Sequence, residues 1–205
     1  MRRFKGPDRS RRSLLATVGS GAAFALVGCL GGDATPSDGD GDSDSEAEER
    51  SFPAHPMDEP REPPEGRLCD GPCGMSPSSY PESNGQIAHG GGEGVFFDSV
   101  GCLVAYANDP TFYDGPETTV ETAWVRDFGT KELLDAATAT FVLDYDKQRH
   151  EELMAHNPKP FAERADAVGY VDQYDDLTTE DIVEFDAFGG EQAHRYRDYP
   201  LDEDD

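Results

Sequence analysis

Gln86-Ile-Ala-His-Gly-Gly-Gly-Glu-Gly-Val-Phe-Phe-Asp-Ser-Val-Gly-Cys-Leu-Val-Ala-Tyr-Ala-Asn-Asp-Pro110 is the stretch that decides the fold class of this chain. Residues 86–89 and 95–97 are short apolar runs split by the Gly90-Gly-Gly92 turn signal, the pattern of two strands joined by a tight connection. Asp98 or Ser99 can then cap a helix in which Val100, Leu103, Val104 and Ala107 share one face, and Asp109-Pro110 stops it. On that wheel Cys102 falls on the opposite face, near Tyr106. Strand, strand and helix within 25 residues point to a mixed α and β domain.

Outward from this unit the pattern continues. Val120, Thr122 and Trp124 alternate along a third strand that leads into Arg126-Asp127 and a short helical stretch containing Leu133 and Leu134. Residues 140–143 read as a fourth strand. A polar segment with His150, Met154 and His156 follows, and Pro158 and Pro160 precede a helix striped by Phe161, Ala165, Val168 and Val171. Residues 178–185 suit either a short capped helix or a last strand, and the tail from Glu191 reads as loose. The order predicts an α+β fold, a single domain of two related strand-strand-helix halves over residues 67–190, with 191–205 as an acidic tail.

The N-terminal third has a different composition. Ser10-Arg-Arg-Ser-Leu-Leu15 places a twin arginine before the apolar run 14–27, which is too short for a membrane span and has the layout of an export signal. The run ends in Leu26-Val27-Gly28-Cys29, which resembles a lipobox, so Cys29 reads as a lipidation site after a signal peptide at 1–28. Residues 29–66 then form an anchored linker: from Asp33 to Gly66 there are twelve acidic residues and six prolines with almost nothing apolar to bury, the composition of a disordered tether. The expected location is the extracytoplasmic face of the cell membrane, held by lipidated Cys29.

The formal charge is −26 over 205 residues, and cleavage before Cys29 would remove six basic residues and one acidic one, taking it to −31. Nucleic acid is excluded as a partner by repulsion. Acid spread along a chain with three lysines after the signal (Lys131, Lys147 and Lys159) suits a halophilic source, where salt screens the self-repulsion.

Chemistry concentrates in Leu68-Cys-Asp-Gly-Pro-Cys-Gly-Met75, where Cys69, Cys73 and Met75 bring three sulfur groups into seven residues. With Cys29 lipidated, three cysteines remain, so at least one stays out of any intrachain disulfide. A Cys69–Cys73 disulfide accounts for two of them and leaves Met75 unexplained. A redox pair is disfavoured by the three-residue spacing and by Asp70 beside it, and a structural zinc site lacks a second cysteine pair. Thiolate with thioether is the donor set that selects Cu(I), and Gly74 lets Cys73 and Met75 turn toward one point. Cys69 itself stays open between third ligand and redox guard. Further ligands could come from Cys102, His89, Met154 or His156, for each of which ordinary packing or a solvated surface is the competing role. No grouping suited to nucleophilic or acid–base catalysis stands out, so the chain reads as a binding protein and not as an enzyme.

Several segments in order resemble the NosL-type copper-binding lipoproteins, accessory proteins of nitrous oxide reductase. They are Cys73-Gly74-Met75, Gly85-Gln-Ile-Ala88, Phe97-Asp-Ser-Val-Gly-Cys-Leu103, Ala123-Trp-Val-Arg-Asp-Phe128, and Asp135-Ala136 before the Phe141 strand. The resemblance runs over about residues 67–185. It implies a Cu(I) site on the Cys-x-Met element, here Cys73 and Met75, a fold of two related α+β halves, and a role in denitrification as a metallochaperone or store for the reductase's copper centre. Its partners would be the reductase or its assembly factors. Many relatives carry a Met-Gly element where this chain has Met154-Ala-His-Asn-Pro-Lys-Pro-Phe161. Two competing expectations remain: an extracytoplasmic thiol-disulfide oxidoreductase using Cys69 and Cys73, and a non-catalytic structural surface lipoprotein.

Overall fold

A computed structural model describes residues 51–201. The export signal, Cys29, the linker up to residue 50 and the last four residues of the tail lie outside the described residues.

The hairpin at the head of the fold forms where the sequence places it. Strands β1 (Gly85–His89) and β2 (Gly94–Phe97) pair antiparallel with Ile87 opposite Val95, joined through Gly92 at φ +85°. Helix α1 (Val100–Asn108) follows, with Ser99 as its N-cap residue in extended conformation. Strand β3 (Val120–Arg126) returns beside β1, and β4 (Leu133–Asp135) pairs with β3, giving a four-stranded sheet in the order β2-β1-β3-β4. The second sheet is β5 (Thr140–Val142), β6 (Lys159–Phe161) and β7 (Ile182–Glu184) in the order β6-β5-β7, with helix α2 (Arg164–Val171) between β6 and β7. Each half therefore contains the order strand, strand, helix, strand, to which the first adds β4, and in each the first strand is antiparallel to a neighbour on either side. The fold is α+β, and the last helix, α3 (Gly190–Arg197), packs against α1.

Burial explains the layering. Along β5, Phe141 joins the large core with Ile87, Val95, Leu103 and Tyr106, whereas its neighbour Val142 joins a second core with Ala167, Tyr170 and Ile182. Successive residues of a strand face opposite sides, so the second sheet lies between α2 and the α1 core. Helix α1 is buried all round from Val100 to Tyr106, which is why Cys102, assigned by the wheel to an outer face, is fully inaccessible.

Three elements differ from the sequence reading, and a fourth combines the two alternatives it left open. Leu133 and Leu134 are a strand and not a helix: the Asp127 carboxylate accepts from the N–H groups of Gly129 and Thr130, and Lys131 takes φ +65°, closing a β3–β4 hairpin. Phe161 belongs to edge strand β6. Pro158 and Pro160 bias the residues before them to extended backbone, an edge strand tolerates Pro160, and the helix starts only at Arg164 with Ala167, Tyr170 and Val171 inward. Residues 178–185 satisfy both readings in succession, a 3-10 turn boxed by Thr178 and Asp181 and then β7. Within the tail, residues 191–197 are not loose: they belong to α3, which buries Ala193, Tyr196 and Arg197.

The last part of the linker is a further correction. Residues 53–61 are fastened to the first sheet: Ala54 bridges Glu93, Arg61 N–H donates to Gln86 Oε1 at 2.8 Å, and His55 is buried, stacked on Trp124 at 5.3 Å with its Nε2 2.7 Å from Gln86 Oε1. Gln86, Phe96 and Trp124 would otherwise be a wet sheet face, so their burial depends on this cover. His55→Ala is expected to lower unfolding free energy by about 1–3 kcal/mol, a lost buried hydrogen bond and ring contact, read as a lower denaturant midpoint.

Candidate metal centre

The loop carrying Cys69 and Cys73 is fastened to the sheet by backbone and carboxylate. Asp70 N–H donates to Phe96 C=O at 2.9 Å, and the Asp70 carboxylate accepts from Phe96 N–H at 2.9 Å and from Arg67 at 2.7 and 3.0 Å. Asp70 is thus fully engaged in anchoring, although its place in the sequence suggested opposition to a neighbouring thiolate. Cys69 N–H donates to Met75 C=O at 2.6 Å, closing the seven-residue loop, and Gly74 takes φ +66° within it.

This anchoring sets Cys69 and Cys73 against the first turn of α1. The ligand atoms of Cys69, Cys73, Asp98 and Cys102 all lie within 4.8 Å of one another. All three cysteines are free thiols in the structure. Cys69, Asp98 and Cys102 are buried and Cys73 is half-buried, which makes Cys73 the member open to an incoming ion.

Protons in the cluster are unevenly shared. Hydrogen bonds from Cys69 and Cys73, then the Arg197 charge, hold the Cys102 thiol well below its ordinary range despite burial. The same hydrogen bonds to Cys102, with burial, push Cys69 and Cys73 upward. The Cys73 thiol donates to Asp98 Oδ1, burial raises the Asp98 carboxyl, and Asp98 Oδ2 is buried without a hydrogen-bond partner among the described residues. The cluster is thus a lowered thiol, Cys102, packed with the Cys69 and Cys73 sulfurs beside a carboxyl group with spare capacity. Such a group can take a soft cation by releasing thiol protons.

The other sequence candidates are elsewhere. Met75 is half-buried on the same loop, and its Sδ accepts from the Tyr80 hydroxyl at 3.7 Å. His89 spends both ring nitrogens inside the fold, on Thr118 C=O and the Tyr106 hydroxyl, each at 2.9 Å. His156 lies against α3 with Nε2 on Arg195 C=O at 3.0 Å, and Met154 is exposed. Neither histidine belongs to the cluster. Asp98 was legible only as a helix cap. The missed signal is its spacing: four residues before Cys102 at a helix start, it shares that residue's side of the first turn.

The NosL family model matches residues 61–184. A crystal structure of the copper chaperone NosL from Shewanella denitrificans is similar at 18% identity and a TM-score of 0.49, covering 64% of this chain and 96% of that one. No curated protein sequence matches the chain.

Proposed function

The chain belongs to the NosL family, and from that premise we propose that it is a copper chaperone or store, taking Cu(I) as cargo on the sulfur cluster and not transforming it. The observation that carries the reading is the convergence of three thiols and one carboxylate within 4.8 Å. Polarisable thiolates suit Cu(I), which accepts two or three ligands, better than harder divalent ions. Cys73, Cys69 and Cys102 are the proposed donors, with Met75 on the same loop as the thioether that could pass the ion in or out.

Around this site stand the finer parts of the proposal: export by the twin-arginine route, anchoring through lipidated Cys29 outside the membrane, and delivery to the copper centre of nitrous oxide reductase or its assembly factors. The ordered family segments and the Cys29 lipobox support them. A thiol oxidoreductase is less well supported, because the lowest-pKa thiol, Cys102, is wholly inaccessible to an external disulfide.

Titrating the reduced chain with Cu(I) against a competing chelator tests the binding. Dissociation below about 1 μM, lost on Cys73→Ser, is expected; that value corresponds to roughly 8 kcal/mol. Binding weaker than that, or insensitive to Cys73→Ser, overturns the proposal. Normal copper content of the reductase in cells lacking this protein would overturn the delivery role alone.

A further inference from the structure

Thirteen residues beyond the end of the family match, Arg197 closes the inner side of the sulfur cluster. It is the last residue of α3, 8% exposed, and its Nε donates to Cys102 Sγ at 3.1 Å. The remaining donors meet neutral oxygens: His156 C=O at 3.0 Å, Ser99 Oγ at 2.8 Å, Tyr196 C=O and Asn157 Oδ1. Among the described residues no carboxylate forms an ion pair with it. A buried guanidinium requires a countercharge, and among the described residues the ionisable group it donates to is Cys102 of the sulfur cluster.

The approach is built into α1. A Cβ on Gly101 would fall 2.7 Å from Arg197 Cζ, so the guanidinium lies flat on the helix only because residue 101 has no side chain. Asn157 holds both partners, its Oδ1 accepting from Arg197 and, at 3.1 Å, from Gly101 N–H. A fixed positive charge is thus clamped behind one wall of the site.

We infer that Arg197 makes the site discriminate by charge, favouring a monovalent soft cation over a divalent one. The inference rests on the copper reading above. With the same thiolate donors, attraction between the guanidinium and the sulfurs is common to both ions, while its repulsion of the bound cation doubles when the cation carries two charges. Across one sulfur atom that extra repulsion amounts to about tenfold or more in relative affinity, even in a polarisable site. Arg197 therefore acts as a positioning and specificity residue through Cys102, without touching the ion.

The test compares dissociation constants for Cu(I) and Zn(II) in the full reduced chain and three variants. Arg197→Gln removes the charge; Asn157→Asp leaves the guanidinium in place but pairs it with a carboxylate, so the test survives if Arg197→Gln fails to fold. Both are expected to shift the affinity ratio toward Zn(II) by about tenfold. Arg197→Lys, which keeps the charge, should leave the ratio within about threefold of the parent. An unchanged ratio in the neutralised variants, or equal weakening for both ions, overturns the inference and makes Arg197 a structural tie. Failure of the parent chain to bind Cu(I) at all sinks the copper reading instead, so the two failures are separable.

Discussion

Replacing Cys102 by serine is expected to lower Cu(I) affinity by about a hundredfold or more, at least as much as replacing Cys73. Structural zinc sites, the nearest measured guide, hold their metal with about 10–16 kcal/mol from four ligands, so each donor accounts for roughly 2.5–4 kcal/mol, and each 1.4 kcal/mol is a factor of ten. Cys102 carries more than an average share. Its thiol is held below the ordinary range, it sits at the N-terminal turn of α1, and it accepts from Arg197. A serine hydroxyl would stay protonated there and replace the polarisable sulfur to which Arg197 donates. Met75→Leu should cost about tenfold or less, because Met75 lies in a half-exposed part of the loop and its sulfur is engaged by Tyr80. Chelator competition on the three variants gives the ranking, and a Met75 effect larger than that of Cys102 would show the thioether to be the principal donor.

What the sequence made legible is what depends on local pattern. Gly90-Gly-Gly92 between two apolar runs marks a hairpin, and the residues from Asp98 to Pro110 mark a helix with both ends, because turn chemistry and periodicity act over a few residues. The loop cysteines were visible because they are adjacent in sequence. Three features were hidden because long-range packing decides them. Residues 51–66 look like solvated linker by composition, yet His55 finds a sheet face of Gln86, Phe96 and Trp124 that only the folded hairpin creates. The wheel placed Cys102 outward since it counts one face of α1, while packing against α3, β1, β2 and β3 buries that helix all round. Helix α3 is poor in apolar residues and rich in charge, so nothing in its pattern distinguished Tyr196 and Arg197, which go inside, from Arg195, which stays out.

Asp144→Ala is expected to lower unfolding free energy by about 3–5 kcal/mol while leaving Cu(I) affinity of the folded chain within about threefold. Asp144 is completely buried, its Oδ2 accepts from the Tyr170 hydroxyl at 2.6 Å, and Arg149 Nε pairs with the same oxygen at 2.9 Å. Burial and the Asp144 charge keep Tyr170 protonated, so that hydroxyl is a standing donor. Arg149 is itself nearly buried, lies 4.0 Å over the Tyr174 ring, and without Asp144 would keep mainly Asp176, whose side chain is largely in solvent. Removing one partner of such a buried pair leaves the other's desolvation uncompensated, which is why the loss exceeds that of an ordinary hydrogen bond. Against a typical domain stability of about 5–15 kcal/mol this is a large fraction, and denaturant unfolding will read it directly. The sulfur cluster is insulated because, among the described residues, the hydrogen bond between Asp144 and α3 runs through its backbone, its C=O accepting from the Tyr196 hydroxyl at 3.4 Å, and the substitution preserves that carbonyl. A parallel tenfold fall in copper affinity would instead mean that the second half, through α3 and Arg197, sets the geometry of the site and not only its support.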